Sequence, residues 1–430
     1  MSLSSGDWSA RSWNVFPGGC LGEYNLPREL SIVLVRGEGP RVYDAEGREY
    51  IDYTMGWGSV LLGHANPKIV EAVARQIGLG SNFSYVSEPA LRLAEELVRA
   101  IPCAEKLRFC ASGTEATMYA VRFARAFRKR DKIVKFEGAY HGANEFGAIS
   151  LFPQDLVDFP KANPTSAGVP RGFCDDILIA PYNDLETTAR IIEEHADEIA
   201  GVIVEPLHRC TVPLPGFLQG LREITRKHGI LLLFDECVTG FRLSYSGAQG
   251  YYGVTPDLAA FGKALGGGYP VGAIAGRADV LDLCMESELG KEKYVWYAST
   301  LGGNPITATA SLAALEQLRQ PGVYESLFAR GEQLRAGFRS ILSELGIDAQ
   351  VLGDGPLCAL SFTKEKVNDY RSGLRADGAK GRAFVLGLFR RGIFLNPMST
   401  KLYISTEHGD GEIAAIHEAG REVLREIYGR

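Results

Sequence analysis

Apolar residues recur along the middle of the chain in two alternating patterns. Short runs that are almost wholly apolar are typical of strands buried on both faces of a parallel sheet. Between these runs, stretches with apolar residues three or four positions apart predict helices that pack one face on a core. The runs predict strands at 106–110, 132–136, 177–180, 201–204 and 230–234, and the spaced patterns predict helices at 114–128, 184–195 and 216–228. Such alternation predicts an α/β fold with a mainly parallel sheet covered by helices.

Different patterns occupy the two ends of the chain. Up to about residue 70 the sequence has extended pieces and turns, with a hairpin expected to turn at Ala45–Gly47. From Asn304 a long helical pattern runs to about Leu345, and shorter strand and helix patterns follow it. We therefore predict a large central domain at 75–329 and a smaller α+β domain formed by residues 1–74 and 330–430.

Charge and cysteine content narrow the classes of function. The 430 residues include 46 Lys and Arg and 52 Asp and Glu, which gives a formal net charge of −6 with no basic block. This charge argues against nucleic acid and anionic membranes as partners. The 8 cysteines form no C-x-x-C pair, so a reducing compartment is favoured and we expect a cytoplasmic protein. No apolar run approaches the roughly 20 residues that span a bilayer.

Common catalytic signatures are absent from the sequence. Gly262-Lys263 lacks both the first glycine and the Ser or Thr of a P-loop. There is no G-x-S-x-G turn and no H-x-x-x-H pair, so serine hydrolases and zinc proteases lack their residues, and we expect no metal. Gly266–Gly268 does not lie between a strand and a helix, which leaves a nicotinamide oxidoreductase only as a distant alternative.

Two charged residues lie where strands are predicted to end. Asp235 directly follows an apolar run, and the carboxyl end of a buried strand is where α/β proteins assemble their sites. Lys263 follows a second apolar run and precedes a glycine loop. Apolar neighbours would desolvate this lysine and make its amine nucleophilic toward an aldehyde. Taken singly, Lys263 also fits a surface lysine, and Asp235 also fits a cap at a strand end.

Further residues complete a pattern of chemistry. Ser112, Gly113 and Thr114 connect a strand to a helix, so their N–H groups and hydroxyls would suit a phosphate at a helix N-terminus, although a plain capping box is an equal alternative. Tyr140 follows another strand and could lie on a planar ring. A lysine for an aldehyde, a carboxylate for a pyridinium nitrogen, a phosphate site and an aromatic side chain together predict a pyridoxal-phosphate pocket.

At these residues the chain resembles the class-III aminotransferases, a family of fold-type-I pyridoxal-phosphate enzymes. The motifs that carry the resemblance are Ser112-Gly-Thr-Glu-Ala116, Tyr140-His-Gly142, Glu205-Pro206, Asp235-Glu-x-x-Thr-Gly-Phe-Arg242, Gly262-Lys263 and Thr300-Leu-Gly-Gly-Asn-Pro305. The resemblance implies a large domain with a seven-stranded sheet and a homodimer with shared active sites. It implies a Schiff base on Lys263, and cofactor contacts from Ser112, Gly113, Thr114, Tyr140, His141, Glu205, Asp235, Cys237 and Thr300, the last reaching the neighbouring subunit's phosphate.

Within this family the chain looks most similar to glutamate-1-semialdehyde aminomutases, through segments such as Pro17-Gly-Gly19 and Gly56-Trp57-Gly58. It departs from them after Gly19, where the mutases carry a carboxylate-binding arginine for which Arg28 is an open substitute, and at Asn396–Lys401, which lacks their acidic residue. We therefore expect an aminotransferase acting on small-molecule amines and oxo compounds, with an aminomutase as the alternative. Trp57, Arg28, His208, Arg209 and Lys401 are candidate substrate contacts, and packing or surface roles are equally open to them. A catalytically silent regulator would need a DNA-binding module, for which the sequence has no signal.

Overall fold

Strands and helices follow one another closely in residues 5–22 and 25–429, which the computed structural model of this chain describes. In chain order the strands are β1 (Leu34–Glu38), β2 (Arg41–Asp44), β3 (Glu49–Asp52), β4 (Lys106–Cys110), β5 (Lys132–Phe136), β6 (Ile177–Ala180), β7 (Ile199–Val204), β8 (Leu231–Asp235), β9 (Leu258–Phe261), β10 (Gly272–Gly276), β11 (Gln350–Leu352), β12 (Leu357–Ser361), β13 (Ile393–Phe394) and β14 (Leu402–Tyr403). The helices are α1 (Ser5–Val15), α2 (Met55–Gly58), α3 (Pro67–Ile77), α4 (Glu88–Ala100), α5 (Gly113–Arg128), α6 (Leu185–Glu194), α7 (Phe217–Lys227), α8 (Gly247–Tyr252), α9 (Ala278–Leu281), α10 (Glu286–Leu289), α11 (Pro305–Leu318), α12 (Val323–Glu344), α13 (Tyr370–Leu374), α14 (Gly378–Arg390) and α15 (Asp410–Tyr428).

The predicted apolar strands meet in one seven-stranded sheet with the order β4-β10-β9-β8-β7-β5-β6. Its neighbouring strands are parallel except around β10, which pairs antiparallel with both β4 and β9. Every residue of β6, β7, β8 and β9 is buried, which explains why these segments are almost wholly apolar. Because β5, β7, β8 and β9 run in the same direction, their carboxyl ends lie at one edge of the sheet.

Helix α5 packs against the seven-stranded sheet and contributes to its apolar core. Its residues Ala116, Ala120, Phe123 and Ala124 are almost completely buried and belong to the same apolar cluster as residues of the central strands. Small alanine side chains let the helix approach the sheet closely, and burial of the Phe123 ring contributes about 1.5–3 kcal/mol. This packing fixes the N-terminus of α5 beside the ends of the strands.

The chain divides into two units, which are described separately. The second unit comprises Lys68–Gln320 and Asn368–Tyr370 and holds the seven-stranded sheet; the first comprises the described residues up to Pro67, the segment Pro321–Val367 and the described residues from Arg371 onward. These divisions fall at 67 and 320, whereas the sequence places them at 74 and 329. The first unit contains a four-stranded sheet, β1-β2-β3-β13, and a three-stranded sheet, β11-β12-β14.

The first unit also contains a backbone turn of unusual hand. Four consecutive residues, Met55 to Gly58, have positive φ angles between 46° and 81°, so α2 is a left-handed turn. Left-handed backbone is unfavourable for Met55 and Trp57, which carry a Cβ. The Asp52 carboxylate stabilises the start of the turn, because it accepts the N–H groups of Thr54 at 2.6 Å and Met55 at 2.9 Å.

Three elements differ from the sequence expectations. The helical pattern from 304 to 345 forms two helices, α11 and α12, because Pro321 and Gly322 interrupt it. Strand β10 and helix α1 were not predicted, since glycines flank β10 and the first 15 residues lack a clear apolar period. Across the described ranges, no helix combines the length and the apolar character needed to cross a membrane.

Candidate functional site

Several of the site residues predicted in the second unit lie at the same edge of the seven-stranded sheet. Asp235 is the last residue of β8, and Lys263 follows the end of β9 by two residues. Strand β5 leads into the segment 137–150, which carries Tyr140 and His141 and which we call the 137–150 loop. The parallel direction of these strands explains why residues more than 100 positions apart in sequence lie together.

A buried pair of side chains, Asp235 and His141, lies at the centre of this edge. The imidazole Nδ1 lies 2.8 Å from Asp235 Oδ2, and Asp235 Oδ1 accepts the backbone N–H of Cys237 at 3.0 Å. His141 is completely buried and Asp235 is 5% exposed. Because an ionised carboxylate only accepts hydrogen bonds, Nδ1 is the donor in this pair.

The environment of Asp235 keeps its carboxyl group ionised. Burial acts to raise the pKa of Asp235, but the hydrogen bond and charge of His141, the Cys237 N–H and the charge of Lys263 outweigh burial and hold that pKa below its usual value. Burial and the nearby Asp235 charge raise the pKa of the Cys237 thiol well above its usual value. The strand end therefore presents one buried negative charge beside a neutral thiol.

The N-terminus of α5 lies against the same residues. Ser112 caps the helix, because its Oγ accepts the N–H of Glu115 at 3.2 Å. A Cβ added to Gly113 would lie 2.6 Å from the sulfur of Cys237, so the backbone at this position passes too close for any side chain. The cap predicted as an alternative is therefore present, and the hydroxyl hydrogen of Ser112 remains able to donate to another group.

Lys263 starts a short turn next to this helix terminus. A Cβ on Gly262 would lie 3.4 Å from the Cα of Gly113, so the ends of β9 and β4 bring the two glycines into contact. Lys263 itself has φ of 46°, in the left-handed region that non-glycine residues rarely adopt. A strained backbone at a charged residue of a strand end is typical of functional sites.

Glu205, His208 and Arg209 border the 137–150 loop. Glu205 Oε2 accepts the N–H of Tyr140 at 3.4 Å and lies 3.7 Å from His208 Nδ1. The guanidinium carbon of Arg209 lies 5.6 Å from the centre of the Tyr140 ring and 4.7 Å from the centre of the Phe152 ring. Arg209 Nε donates to Gly138 O at 3.3 Å, while its buried Nη2 has no hydrogen-bond partner among the described residues.

A family model for class-III aminotransferases matches residues 25–406. The chain belongs to the class-III aminotransferase family. It is 40% identical over 398 residues to the glutamate-1-semialdehyde 2,1-aminomutase of Desulforudis audaxviator (strain MP104C), an alignment that covers 92% of this chain and 90% of that protein. An omega-transaminase from Sphaerobacter thermophilus has a similar structure, with a TM-score of 0.91 and 37% identity over 100% of this chain and 98% of its own. A transaminase with PLP bound has a TM-score of 0.89 and 29% identity over 100% and 99% of the two chains.

Membership of the class-III aminotransferase family confirms several predictions. The fold-type-I architecture with its seven-stranded sheet is confirmed, as is the prediction of a pyridoxal-phosphate-dependent enzyme that transfers amines. The roles of individual site residues stay predictions, and so do the domain boundaries.

The other residues predicted for this aminotransferase site lie in several places. Thr300 is exposed in the second unit, where its carbonyl oxygen accepts Asn82 Nδ2 at 3.1 Å. His208 is buried, and its ring stacks on Tyr182 with the centres 4.8 Å apart. Trp57, Arg28 and Lys401 belong to the first unit: Trp57 lies on the left-handed turn, the Arg28 guanidinium lies 5.5 Å from the centre of the Trp13 ring, and Lys401 Nζ lies 4.9 Å from that of Tyr403.

Sequence reasoning missed two features of the site. It included His141 through a motif but did not predict its pairing with Asp235, although both residues follow apolar strands. It considered Glu115 only as part of the alternative capping box and did not predict that its Oε2 accepts the Ala111 N–H at 3.1 Å and the Ser299 hydroxyl at 2.9 Å, which joins the segment before Thr300 to the N-terminus of α5. Both His141 and Glu115 stand inside the quoted motifs, but the motifs do not indicate which residues they contact.

Proposed function

We propose that this class-III enzyme is an aminotransferase that moves an amino group between an amino compound and an oxo acid or aldehyde, releasing the carbonyl product between the two halves of the reaction. The observation that carries this proposal is the buried, ionised Asp235 that His141 holds at the end of β8, with Lys263 after the end of the neighbouring strand β9 and next to the N-terminus of α5.

The residues at this edge fit pyridoxal phosphate. The backbone N–H groups at the N-terminus of α5, with the hydroxyls of Ser112 and Thr114, would bind the phosphate. Asp235 would pair with the nitrogen of the pyridine ring, and Tyr140 would stack on the ring. Gly113 and Cys237 leave no space for a larger residue at 113, which keeps the helix terminus open for a ligand.

Pyridoxal phosphate supplies, when bound, an electron-accepting ring conjugated to a reactive aldehyde. Residues of this chain would bind the cofactor, orient it and move the proton. Lys263 Nζ would hold the cofactor and would act as the acid–base group that removes the proton at the substrate's α-carbon. Asp235 would keep a proton on the ring nitrogen, and His141 would keep Asp235 ionised through the Nδ1 hydrogen bond. Glu205 would orient Tyr140 by accepting its backbone N–H.

Arg209 is a candidate for the recognition of a substrate carboxylate. Its guanidinium has no carboxylate partner among the described residues, and it lies between two aromatic rings beside Tyr140. A half-buried cation without a counter-charge favours an anionic ligand. The other candidates for substrate contact are Trp57, His208, Arg28 and Lys401. His208 is almost completely buried, which leaves little of its side chain accessible to a substrate.

We further propose a cytoplasmic homodimer in which Thr300 contacts the phosphate of the neighbouring subunit. Several apolar side chains are exposed in the segment around Asn82, which binds Thr300, and next to Thr300 itself: Tyr85 at 87%, Leu79 and Val86 at 73% each, and Leu301 at 54%. Contiguous exposed apolar surface is typical of protein interfaces. Because Asn82 binds the carbonyl of Thr300, a partner that covers this surface would also fix the Thr300 loop. The 8 cysteines all lie in the described ranges and form no disulfide there, which supports a reducing compartment.

The alternative is a glutamate-1-semialdehyde aminomutase, which would return the amine to the same molecule. The 40% identity to a protein of that name favours it. The departures at residues 20–28 and 396–401 favour the transferase, because a mutase must hold both ends of a small charged intermediate until the amine has moved. In this chain Arg28 packs on Trp13 and Lys401 on Tyr403.

One experiment separates the two functions. Purified enzyme is mixed with a panel of amines and amino acids while the absorbance of the cofactor is followed, and the solution is analysed for carbonyl product. We expect an amino donor alone to convert the enzyme stoichiometrically to the pyridoxamine form with free carbonyl product, and an added oxo acid or aldehyde to restore it. Rapid isomerisation of glutamate-1-semialdehyde to 5-aminolevulinate without an added acceptor would instead establish the mutase.

A further inference from the structure

Lys135 is a fully buried lysine that the proposed reaction does not use. It lies on β5, one residue before the strand ends, and it is 0% exposed. Lysine is almost never fully buried unless a partner satisfies its amino group. Among the described residues Lys135 makes no ion pair within 4.0 Å, so its burial requires another explanation.

Three backbone carbonyls surround its amino group. Lys135 Nζ donates to Ile149 O at 2.6 Å, to Gly147 O at 3.2 Å and to Phe146 O at 3.3 Å. Burial lowers the pKa of Lys135 to about 7, with the Glu205 charge opposing this shift and the Arg209 charge adding to it. In either protonation state Nζ has at least two N–H groups for these three oxygens.

The carbonyls belong to the returning half of the 137–150 loop. The Gly138 N–H donates to Ser150 O at 2.8 Å, which joins the two ends of the loop. The Lys135 side chain extends from β5 to the carbonyl oxygens inside this loop. The loop has little regular secondary structure of its own. The side chain of Lys135 therefore supplies hydrogen bonds that a helix or strand would otherwise supply.

The half of the loop that Lys135 binds packs on the half that carries the site. The Phe146 ring stacks on the His141 imidazole with the centres 6.3 Å apart and the planes 20° apart. The backbone of His141 is held separately, since the Thr117 hydroxyl donates to His141 O at 2.6 Å. Phe146 is thus the contact through which a change at Lys135 would reach the imidazole ring and its bond to Asp235.

We propose that Lys135 is a positioning residue of the active site: by binding the carbonyls of residues 146, 147 and 149 it keeps Phe146 on His141 and thereby keeps His141 hydrogen-bonded to Asp235. The proposal rests on the proposed function for its effect on catalysis, but its structural part concerns this chain's own residues alone. The proposal predicts that loss of the Lys135 hydrogen bonds disorders the 137–150 loop, whereas loss of a buried hydrogen bond elsewhere does not.

The test compares Lys135→Met, which keeps the length of the side chain but removes its donors, with Thr225→Val as the matched control. Thr225 is also completely buried and donates to backbone carbonyls, in α7. Two readouts are made on the full chain, with and without added pyridoxal phosphate: hydrogen exchange of peptides from 137–150 and from β8, and the Nδ1–H resonance of His141 in protein with labelled histidine, assigned with His141→Asn.

We expect Lys135→Met to exchange at least tenfold faster in 137–150 with β8 unchanged, and to broaden or lose the His141 resonance. In turnover, kcat should fall at least tenfold with the KM of the amino donor within about threefold, whereas Thr225→Val should leave exchange in both segments, the His141 resonance, kcat and KM unchanged. If the Met variant does not fold, Lys135→Gln, which is shorter and uncharged, takes its place with the same criteria.

An unchanged His141 resonance with normal exchange in 137–150 would overturn the proposal. So would faster exchange spread equally over the loop and β8, because that result describes a general loss of stability. If the chain transferred no amine at all, the exchange and resonance results would still stand, so failure of the proposed function is distinguishable from failure of this inference.

Discussion

The hydrogen bond between His141 and Asp235 can be removed without changing either Lys263 or Asp235. His141→Leu fills much of the volume of the imidazole but cannot donate to Asp235 Oδ2. His141→Asn is the matched control, because its Nδ2 occupies nearly the position of the imidazole Nδ1, which lies 2.8 Å from the carboxylate. The two variants therefore differ mainly in one donor at one place.

The expected magnitude follows from the burial of both partners. A hydrogen bond to a charged group contributes about 1.5–3 kcal/mol, and about 1.4 kcal/mol changes a rate tenfold. If the ionised carboxylate acts throughout the rate-limiting step, His141→Leu should lower kcat by about tenfold to about 150-fold, and His141→Asn by much less. Stability should fall in the same order, measured as the free energy of unfolding in urea.

The pH dependence has a definite sign. Burial acts to raise the pKa of Asp235, and His141 is the main group that lowers this pKa. The ionised carboxylate therefore stabilises the wild-type fold at pH values above the usual Asp pKa. This stabilisation is lost as the pH falls through the lowered pKa of Asp235. Without the imidazole the pKa of Asp235 should rise. The acidic limb of the kcat profile should then move to higher pH in His141→Leu. Equal kcat values and superimposable acidic limbs for the Leu and Asn variants would refute this reasoning.

Two further predictions concern Lys263 and Thr300. Lys263→Ala should abolish turnover and the borohydride-stable attachment of pyridoxal phosphate while leaving non-covalent binding, and Lys132→Ala should change neither; a cofactor fixed to another lysine would contradict this. Thr300→Ala should weaken cofactor binding by about tenfold to about 150-fold, since a hydrogen bond to a charged phosphate is lost. Co-expression of Thr300→Ala with Lys263→Ala chains should restore one complete site per hybrid dimer, as the gel-filtered mixture's turnover would reveal; no recovery means that Thr300 serves its own subunit.

Much of the large unit could be predicted from the sequence because its strands are buried on both faces. The runs at 132–136 and 177–180 coincide with β5 and β6. Strand β6 has no solvent face and is apolar throughout, whereas β5 also carries Lys132 and the buried Lys135. The same reasoning located Asp235 and Lys263, because a charged residue directly after such a run has to lie at the sheet edge. Strand β10 was harder to predict, because four of its five residues are glycine or alanine.

The contacts that organise the site were less predictable. The partners of Lys135 are three main-chain carbonyls, and no side-chain pattern records a bond to the backbone of an irregular loop. The bond between His141 and Asp235 depends on the sheet order, in which β7 separates β5 from β8. Sequence alone gives the direction of these strands but not which of them are neighbours, so it could bring both residues to one edge without pairing them.

The doublet Asp235-Glu236 illustrates what the structure adds, because the sequence places two carboxylates next to each other and the structure shows how their surroundings differ. Both are buried, but their surroundings act in opposite directions. Asp235 has its pKa lowered by His141, whereas burial raises the pKa of Glu236, whose oxygens accept from the Thr239 hydroxyl at 2.6 Å and the backbone N–H groups of Ala248 and Gln249 at 2.8 Å and 3.1 Å. All of these donors belong to the segment 239–249, so Glu236 stabilises the position of that segment. Asp235→Asn should therefore lower kcat by several orders of magnitude and lose the stability that the ionised carboxylate contributes, whereas Glu236→Gln should cost about 1–3 kcal/mol of stability with kcat of the folded enzyme nearly unchanged. Parallel urea titrations and single-turnover rates would decide between them, and the opposite outcome would assign the ring nitrogen to Glu236.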